Sequence, residues 1–169
     1  MGSHAVRVIT SAVVGAVTAA IWAAAPVQAG PAAPAHEEGY PSNGDIIGCL
    51  IIGPFDCGIA QANARDAEEV ANELVANGVF PGDSLHNGKA DAFRHCYWNA
   101  LMVHYIDAQQ AKIVADRHEA DPGLPQDEVG MDLHNNAAGR DIGVREPIDI
   151  NAQDECKWSA LDGRLATLR

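Results

Sequence analysis

The residues able to do chemistry fall into three short clusters: Asp91, Arg94, His95 and Asn99; then His118 with Glu119; then Asp132, His134, Asn135, Asn136 and Arg140. Carboxylate, imidazole and amide groups brought together suit two kinds of reaction. In one, a histidine takes a proton from water while an acid orients the ring. In the other, a divalent metal held by His95, His118 or His134 with carboxylate help polarises the water. At roughly 100° per residue, Asp91, His95 and Asn99 spread over only about 80° of a helix, a narrow polar stripe on an otherwise apolar surface. Burying polar groups without partners costs a few kcal/mol each, so another polar element must face this stripe. The second and third clusters are the candidates. Taking Asp132 as origin, Asn135, Asn136 and Gly139 fall within about 60° of it, and Gly139 would let another backbone approach closely, while His134 points the opposite way.

These placements give expected roles. His95 is a general base or a metal ligand, and Asp91, one turn earlier, orients it or balances its charge. Glu119 and Asp132 hold metal or water, Asn99, His118 and His134 complete the catalytic set, and Arg94, Asn135, Asn136 and Arg140 position an anionic substrate. Arg94 also shares a face with Trp98, so stacking is open to it. The reading is a hydrolase-like or toxin-like effector, with a divalent metal as candidate cofactor. The alternative is a non-catalytic ligand- or protein-binding domain in which the same residues form a structural hydrogen-bond network. His86 and His104 read as structural. Sharper motifs fail: Pro122 stands where a helical zinc protease needs its second histidine after His118-Glu119, helical geometry turns Cys96 away from His95, and there is neither a phosphate loop nor a nucleophile elbow.

The elements that must position these groups are helical throughout. Lys89 to Ile106 is apolar on nearly every side and should be the buried central helix. Ala60 to Ala76 has an amphipathic pattern ended by Asn77-Gly78, and Ala108 to Glu119 continues helically, with a break near Asp107 left open. Shorter helices are expected over Glu128 to Ala138 and Asn151 to Leu165. Ile46 to Ile59, interrupted by Gly48, Gly53, Pro54 and Gly58, reads as a stapled loop with one helical turn at most. The expected fold is all-α, four to five helices around the central one.

The chain has 169 residues with 11 Lys and Arg against 23 Asp and Glu, a net charge of −12. That is one domain. Arg7 followed by the apolar run Val8 to Ala25 and by Val27-Gln28-Ala29 has the form of a secretory signal over residues 1–29, an uncleaved anchor being the alternative. Residues 30–44, rich in Pro, Ala and Gly, read as a flexible leader before a domain over 45–169. Without the signal, 140 residues of net charge −13 remain, which disfavours non-specific nucleic-acid binding and membrane adhesion; a secreted monomer is expected. Four cysteines in an exported chain suit two disulfides, and of three connectivities Cys49 to Cys57 with Cys96 to Cys156 is expected.

The segments Asp91-Ala-Phe-Arg-His-Cys-Tyr-Trp-Asn99, His118-Glu119 and Met131-Asp-Leu-His-Asn-Asn-Ala-Ala-Gly-Arg140 resemble a family of exported bacterial domains of unknown function. Similar segments occur at the C-terminal ends of wall-associated and RHS-repeat toxin-like proteins. The resemblance covers roughly residues 85 to 143 and implies a shared site with a toxin-like or effector role. Against that resemblance the chain is expected to stand alone behind its own signal, and it carries Cys96 where the resemblance implies a small residue.

Overall fold

The computed structural model describes residues 42–169, so the expected signal peptide and nearly all of the leader lie outside the described residues. Six helices follow one another: α1 (Asn43–Ile52), α2 (Pro54–Ala76), α3 (Lys89–Tyr105), α4 (Ala108–His118), α5 (Gln126–Arg145) and α6 (Asp149–Leu161). There are no strands among the described residues, and the all-α expectation is met.

The extra helix comes from the stretch expected to be a loop. Ser42 and Asp45 form a reciprocal capping box that starts α1, and Pro54 occupies the first turn of α2, where its missing N–H costs nothing. Only Gly53, at φ 91°, breaks the path between them. Gly48, read as an interruption, lies within α1, and Gly44, read as part of the leader, is a contact point. An added Cβ on Gly44 would meet the Arg117 carbonyl oxygen at 1.8 Å, so α1 lies directly against α4. The helix therefore begins two residues before the expected domain start at Asp45.

Helix α3 runs through the middle, packed on α2, α4, α5 and α6. Phe93, Cys96, Ala100 and Met102 are wholly enclosed, as the all-round apolar pattern requires. Phe80 packs tilted on Phe93 at 5.7 Å and Phe93 stacks on Tyr97 at 5.6 Å, and the Trp98 indole N–H donates to the Ala60 carbonyl at 3.0 Å, tying α3 to α2. Asp107 settles the open break. Its side chain accepts the N–H groups of Gln109 and Gln110, which caps α4 and separates it from α3.

Helix α5 extends beyond the expected 128–138 at both ends. Asp127 and Glu128 complement its N-terminal dipole, and Gly139 and Gly143 seat it against α3, tertiary contact overriding their poor helix propensity. Helix α6 starts at Asp149 and stops at Leu161 rather than Leu165. Gly163, at φ 77°, turns the chain so that Arg164 and Leu165 donate back to the Ser159 carbonyl and Leu165 enters the core. The tail then returns to the start of α3, where Leu168 N–H meets the Asn87 carbonyl at 2.9 Å.

Both disulfides have the expected connectivity. Cys49–Cys57 joins α1 to α2, and Cys96–Cys156 joins α3 to α6 across 60 residues of sequence. Such bonds fit an oxidising compartment. Among the described residues, no helix is long and apolar enough to cross a membrane.

Candidate functional site

The α3–α5 crossing brings the two polar stripes face to face. At Gly139 a Cβ would lie 2.1 Å from the Cys96 carbonyl oxygen, and at Gly143 2.8 Å from that of Ala100. This glycine contact lets Asp132 and Asn136 of α5 reach Asp91, His95 and Asn99 of α3, and the end of α4 adds Glu119. His95, Asn99 and Asn136 are 2%, 0% and 0% exposed, so their hydrogen bonds are decisive.

Those bonds run in one direction. Arg140 Nη1, which can only donate, meets Asn99 Oδ1 at 2.9 Å; Asn99 Nδ2 then donates to Asn136 Oδ1 at 2.7 Å and to the His95 carbonyl at 3.0 Å. Asn136 Nδ2 in turn donates to Glu119 Oε1 at 3.1 Å. With Asn136 Oδ1 fixed as an acceptor, His95 Nδ1 at 3.2 Å must be the donor, and Nε2 carries the lone pair.

Around Nε2 stand charged groups. Arg94 Nη2 lies 2.6 Å from Nε2 and 2.6 Å from Asp91 Oδ1, and the other Asp91 oxygen accepts the Asn87 N–H at 2.7 Å. Asp132 Oδ1 is 3.4 Å from Nε2, and Asp91 Oδ1 is 3.7 Å away. Asp132 Oδ1 is buried yet has no hydrogen-bond partner. On the other side of the ring, Glu119 Oε1 is 3.7 Å from Nδ1.

Electrostatics follow from this crowding. Burial, then the Arg94 charge, push the His95 pKa well below 6.5 and keep the ring neutral. Burial works to raise Asp91, but Arg94, His95 and the Asn87 N–H together hold it below 3.8. Burial raises Glu119 against the pull of His118 and Asn136. Asp132, raised by burial and then by the Glu119 and Asp91 charges, is pushed up to about 7.

A cleft of about 350 Å³ adjoins the site, with Arg94 and His118 in its wall beside Trp98, Ala60, Ala64 and Val114. Arg94 thus faces the buried imidazole with one nitrogen while lining the opening. A larger depression, about 530 Å³, runs along the face of α2 between Arg65 and Ala76 and touches none of the site residues.

Of the expected site residues, Asp91, Arg94, His95, Asn99, Glu119, Asp132, Asn136 and Arg140 converge. His118 stands at the edge, its ring 6.5 Å from that of His95 and its Nδ1 2.8 Å from Asp45 Oδ1. His134 is not brought in: it is exposed, with Nε2 3.3 Å from the Arg164 carbonyl oxygen. Asn135 is turned to the tail, where it donates to the Ala166 carbonyl at 3.0 Å and accepts the Ala166 N–H at 2.8 Å. Arg140 reaches Asn99 instead of the cleft. The three histidines do not share a ligand site; among the described residues, the group able to hold a metal is Asp91, His95 and Asp132, whose donor atoms lie within 4.8 Å of one another. Stacking of Arg94 on Trp98 gives way to the Asp91 and His95 contacts, and the Trp98 ring meets His118 edge-on at 5.5 Å. Asp45 was not expected at the site. It lies 73 residues before its partner His118, and no local pattern links them. His104, read as structural, bridges Asp149 Oδ1 at 2.6 Å and the Gly143 carbonyl at 3.1 Å.

A disulfide-stapled six-helix domain built around a neutral imidazole and three carboxylates defines the class. Within it, the chain belongs to the family described as domain of unknown function (DUF6973), which matches residues 49–159. That span holds every converging residue and leaves out Asp45. No solved structure matches the chain.

Proposed function

We propose that this domain is an exported hydrolase of effector type, activating water where His95 Nε2, Asp91 and Asp132 converge and holding an anionic substrate by Arg94 in the adjoining cleft. The observation that carries this reading is the enforced direction of hydrogen bonding, which gives Nε2 a lone pair next to two carboxylates and the guanidinium that lines the opening. A substrate anion that draws Arg94 outward uncovers this lone pair, and Asp91 and Asp132 stabilise the positive charge that develops as water is deprotonated. The resemblance to C-terminal domains of wall-associated and RHS-repeat toxin-like proteins supports the effector role. The net charge of −12 argues against a polyanionic target such as nucleic acid.

The test is hydrolysis of ester, phosphodiester and peptidoglycan substrates by the disulfide-bonded chain, beside His95→Ala and Arg94→Ala variants checked for fold by circular dichroism. Turnover that disappears in folded His95→Ala supports the proposal. A parent inactive on all three classes, with His95→Ala unfolded, sinks it in favour of a non-catalytic binding domain. That second reading is favoured by the saturated chain from Arg140 through Asn99 and Asn136 to Glu119, which a structural network would also contain.

A further inference from the structure

We infer that Asp91, His95 Nε2 and Asp132 form a binding site for one divalent transition-metal ion of the Mn²⁺ or Zn²⁺ kind, and that Arg94 stands in for its charge when no metal is bound. This rests on the hydrolytic reading and changes the role of His95 within it: the Nε2 lone pair would hold the ion, which would polarise the water in place of the imidazole base, and it is tested without turnover.

Three independent features carry it. The donor atoms are close enough to share an ion, lying within 4.8 Å of one another on two helices fixed by backbone contact. The histidine presents the nitrogen form a metal requires, because the bonds from Arg140 through Asn99 and Asn136 make Nδ1 the donor; an outer partner on the far ring nitrogen is also what orients ligating histidines. Finally, Asp132 Oδ1 is buried without a hydrogen-bond partner beside this lone pair, an acceptor with no protein donor aimed at it.

The charge balance agrees. Asp91, Glu119 and Asp132 crowd one imidazole, and Arg94 is the guanidinium that meets them there, through Asp91 alone. His118 is turned to Asp45. Three carboxylates stand against Arg94 and a His118 already paired with Asp45, an excess of acceptors that a divalent ion would offset. One imidazole with two carboxylates suits Mn²⁺ or Zn²⁺ better than Ca²⁺ or Mg²⁺, whose sites are built from oxygen alone, and the absence of thiolate argues against softer ions. The Arg94 side chain, 31% exposed at the cleft wall, has room to withdraw.

The experiment is titration calorimetry of the chelator-treated, disulfide-bonded chain with Mn²⁺, Zn²⁺, Ca²⁺ and Mg²⁺. One equivalent of Mn²⁺ or Zn²⁺ is expected to bind, and loss of a direct ligand in Asp132→Asn or His95→Gln should lower the affinity by at least the roughly 10- to 100-fold typical of losing an outer partner. In Arg94→Gln, which removes the competing cation, the affinity should rise several-fold. Pulsed electron paramagnetic resonance of the unaltered chain with Mn²⁺ should show coupling to one imidazole nitrogen, a readout that needs no variant to fold. No binding of either ion, binding indifferent to Asp132→Asn, or absence of the nitrogen coupling would overturn the site. A fall in affinity in Arg94→Gln would overturn the stand-in role. A metal bound without hydrolysis would sink the enzyme reading and keep the site, while hydrolysis unaffected by chelator would do the reverse.

Discussion

Replacing Gly139 with alanine tests whether the α3–α5 contact builds the site. The new Cβ would lie 2.1 Å from the Cys96 carbonyl oxygen, 2.8 Å from its carbon and 2.9 Å from Asn99 Cβ, whereas real Cβ contacts essentially never fall below 3.0 Å. Two of the three obstacles are backbone, and α3 is held at this very residue by the Cys96–Cys156 bond, so no side chain can simply swing aside. Relief requires the helices to part by about 1 Å, which stretches the 2.7 Å bond between Asn99 and Asn136 out of hydrogen-bonding range. Overpacking costs about 1–3 kcal/mol and the unsatisfied buried amides a similar amount, against up to about 1 kcal/mol gained in helix propensity. The net is a loss of roughly 1–5 kcal/mol, a sizeable share of the 5–15 kcal/mol typical of a domain. Gly130, exposed on the same helix with nothing within 4 Å of its added Cβ, is the matched control. There alanine should stabilise by about 0.5–1 kcal/mol. Urea unfolding followed by tryptophan fluorescence measures both. Equal stability of Gly139→Ala and the parent, or shifts of the same sign in the two variants, would refute the close-contact reasoning.

Other expectations are as follows. Removing the Cys96–Cys156 bond by paired alanine substitution should cost about 4 kcal/mol in the loop-entropy picture, against about 2–3 kcal/mol for the shorter Cys49–Cys57 loop, so thermal melts of the two variants should rank in that order. Asn135→Ala should free the tail, with faster hydrogen exchange at Ala166 and a loss of about 1–3 kcal/mol; unchanged exchange would show that the tail is held elsewhere. The Asp45–His118 pair between α1 and α4 should give a pH-dependent contribution. Its hydrogen bond to Asp45 raises His118 despite burial, so that stabilisation is complete below 6.5 and is lost as pH rises through the raised value. Asp45, lowered against its burial chiefly by the His118 hydrogen bond, contributes above 3.8 and loses its share as pH falls through the lowered value. The stability difference between the parent and Asp45→Asn should therefore peak near about pH 5 and shrink toward about pH 9, at no more than about 1 kcal/mol for so exposed a pair.

The parts legible in the sequence were those governed by local periodicity. The central helix shows itself because apolar residues surround it, and the convergence of Asp91, His95 and Asn99 with Asp132 and Asn136 follows from two stripes at helical spacing. The capping box at Ser42 and Asp45 is equally local, but Gly48, Gly53 and Gly58 beyond it read as breakers. Gly44, inside the box, is short because α4 passes against it, a reason that lies in another part of the chain. Asn135 and His134 illustrate the limit from the other side. Their types match the site, yet their place on the helix turns them to the C-terminal segment, whose return path depends on the turn at Gly163.

The direction of hydrogen bonding joins these levels. An amide can face either way, and a chain of two amides is ambiguous until one end is fixed. Arg140 fixes it, since a guanidinium has no acceptor to offer, and the Glu119 carboxylate closes the other end by accepting alone while it is ionised. Every intermediate choice is then forced, including the protonated nitrogen of His95. This is why Asn136, expected to position substrate, is buried at 0% exposure: it holds the imidazole, with Asn99 behind it, and not a ligand. It also makes the glycine contact a chemical requirement as much as a packing one. Were α5 to sit farther from α3, Asn136 would lose both Asn99 and His95, and the ring would be at liberty to turn its lone pair away from Asp91 and Asp132.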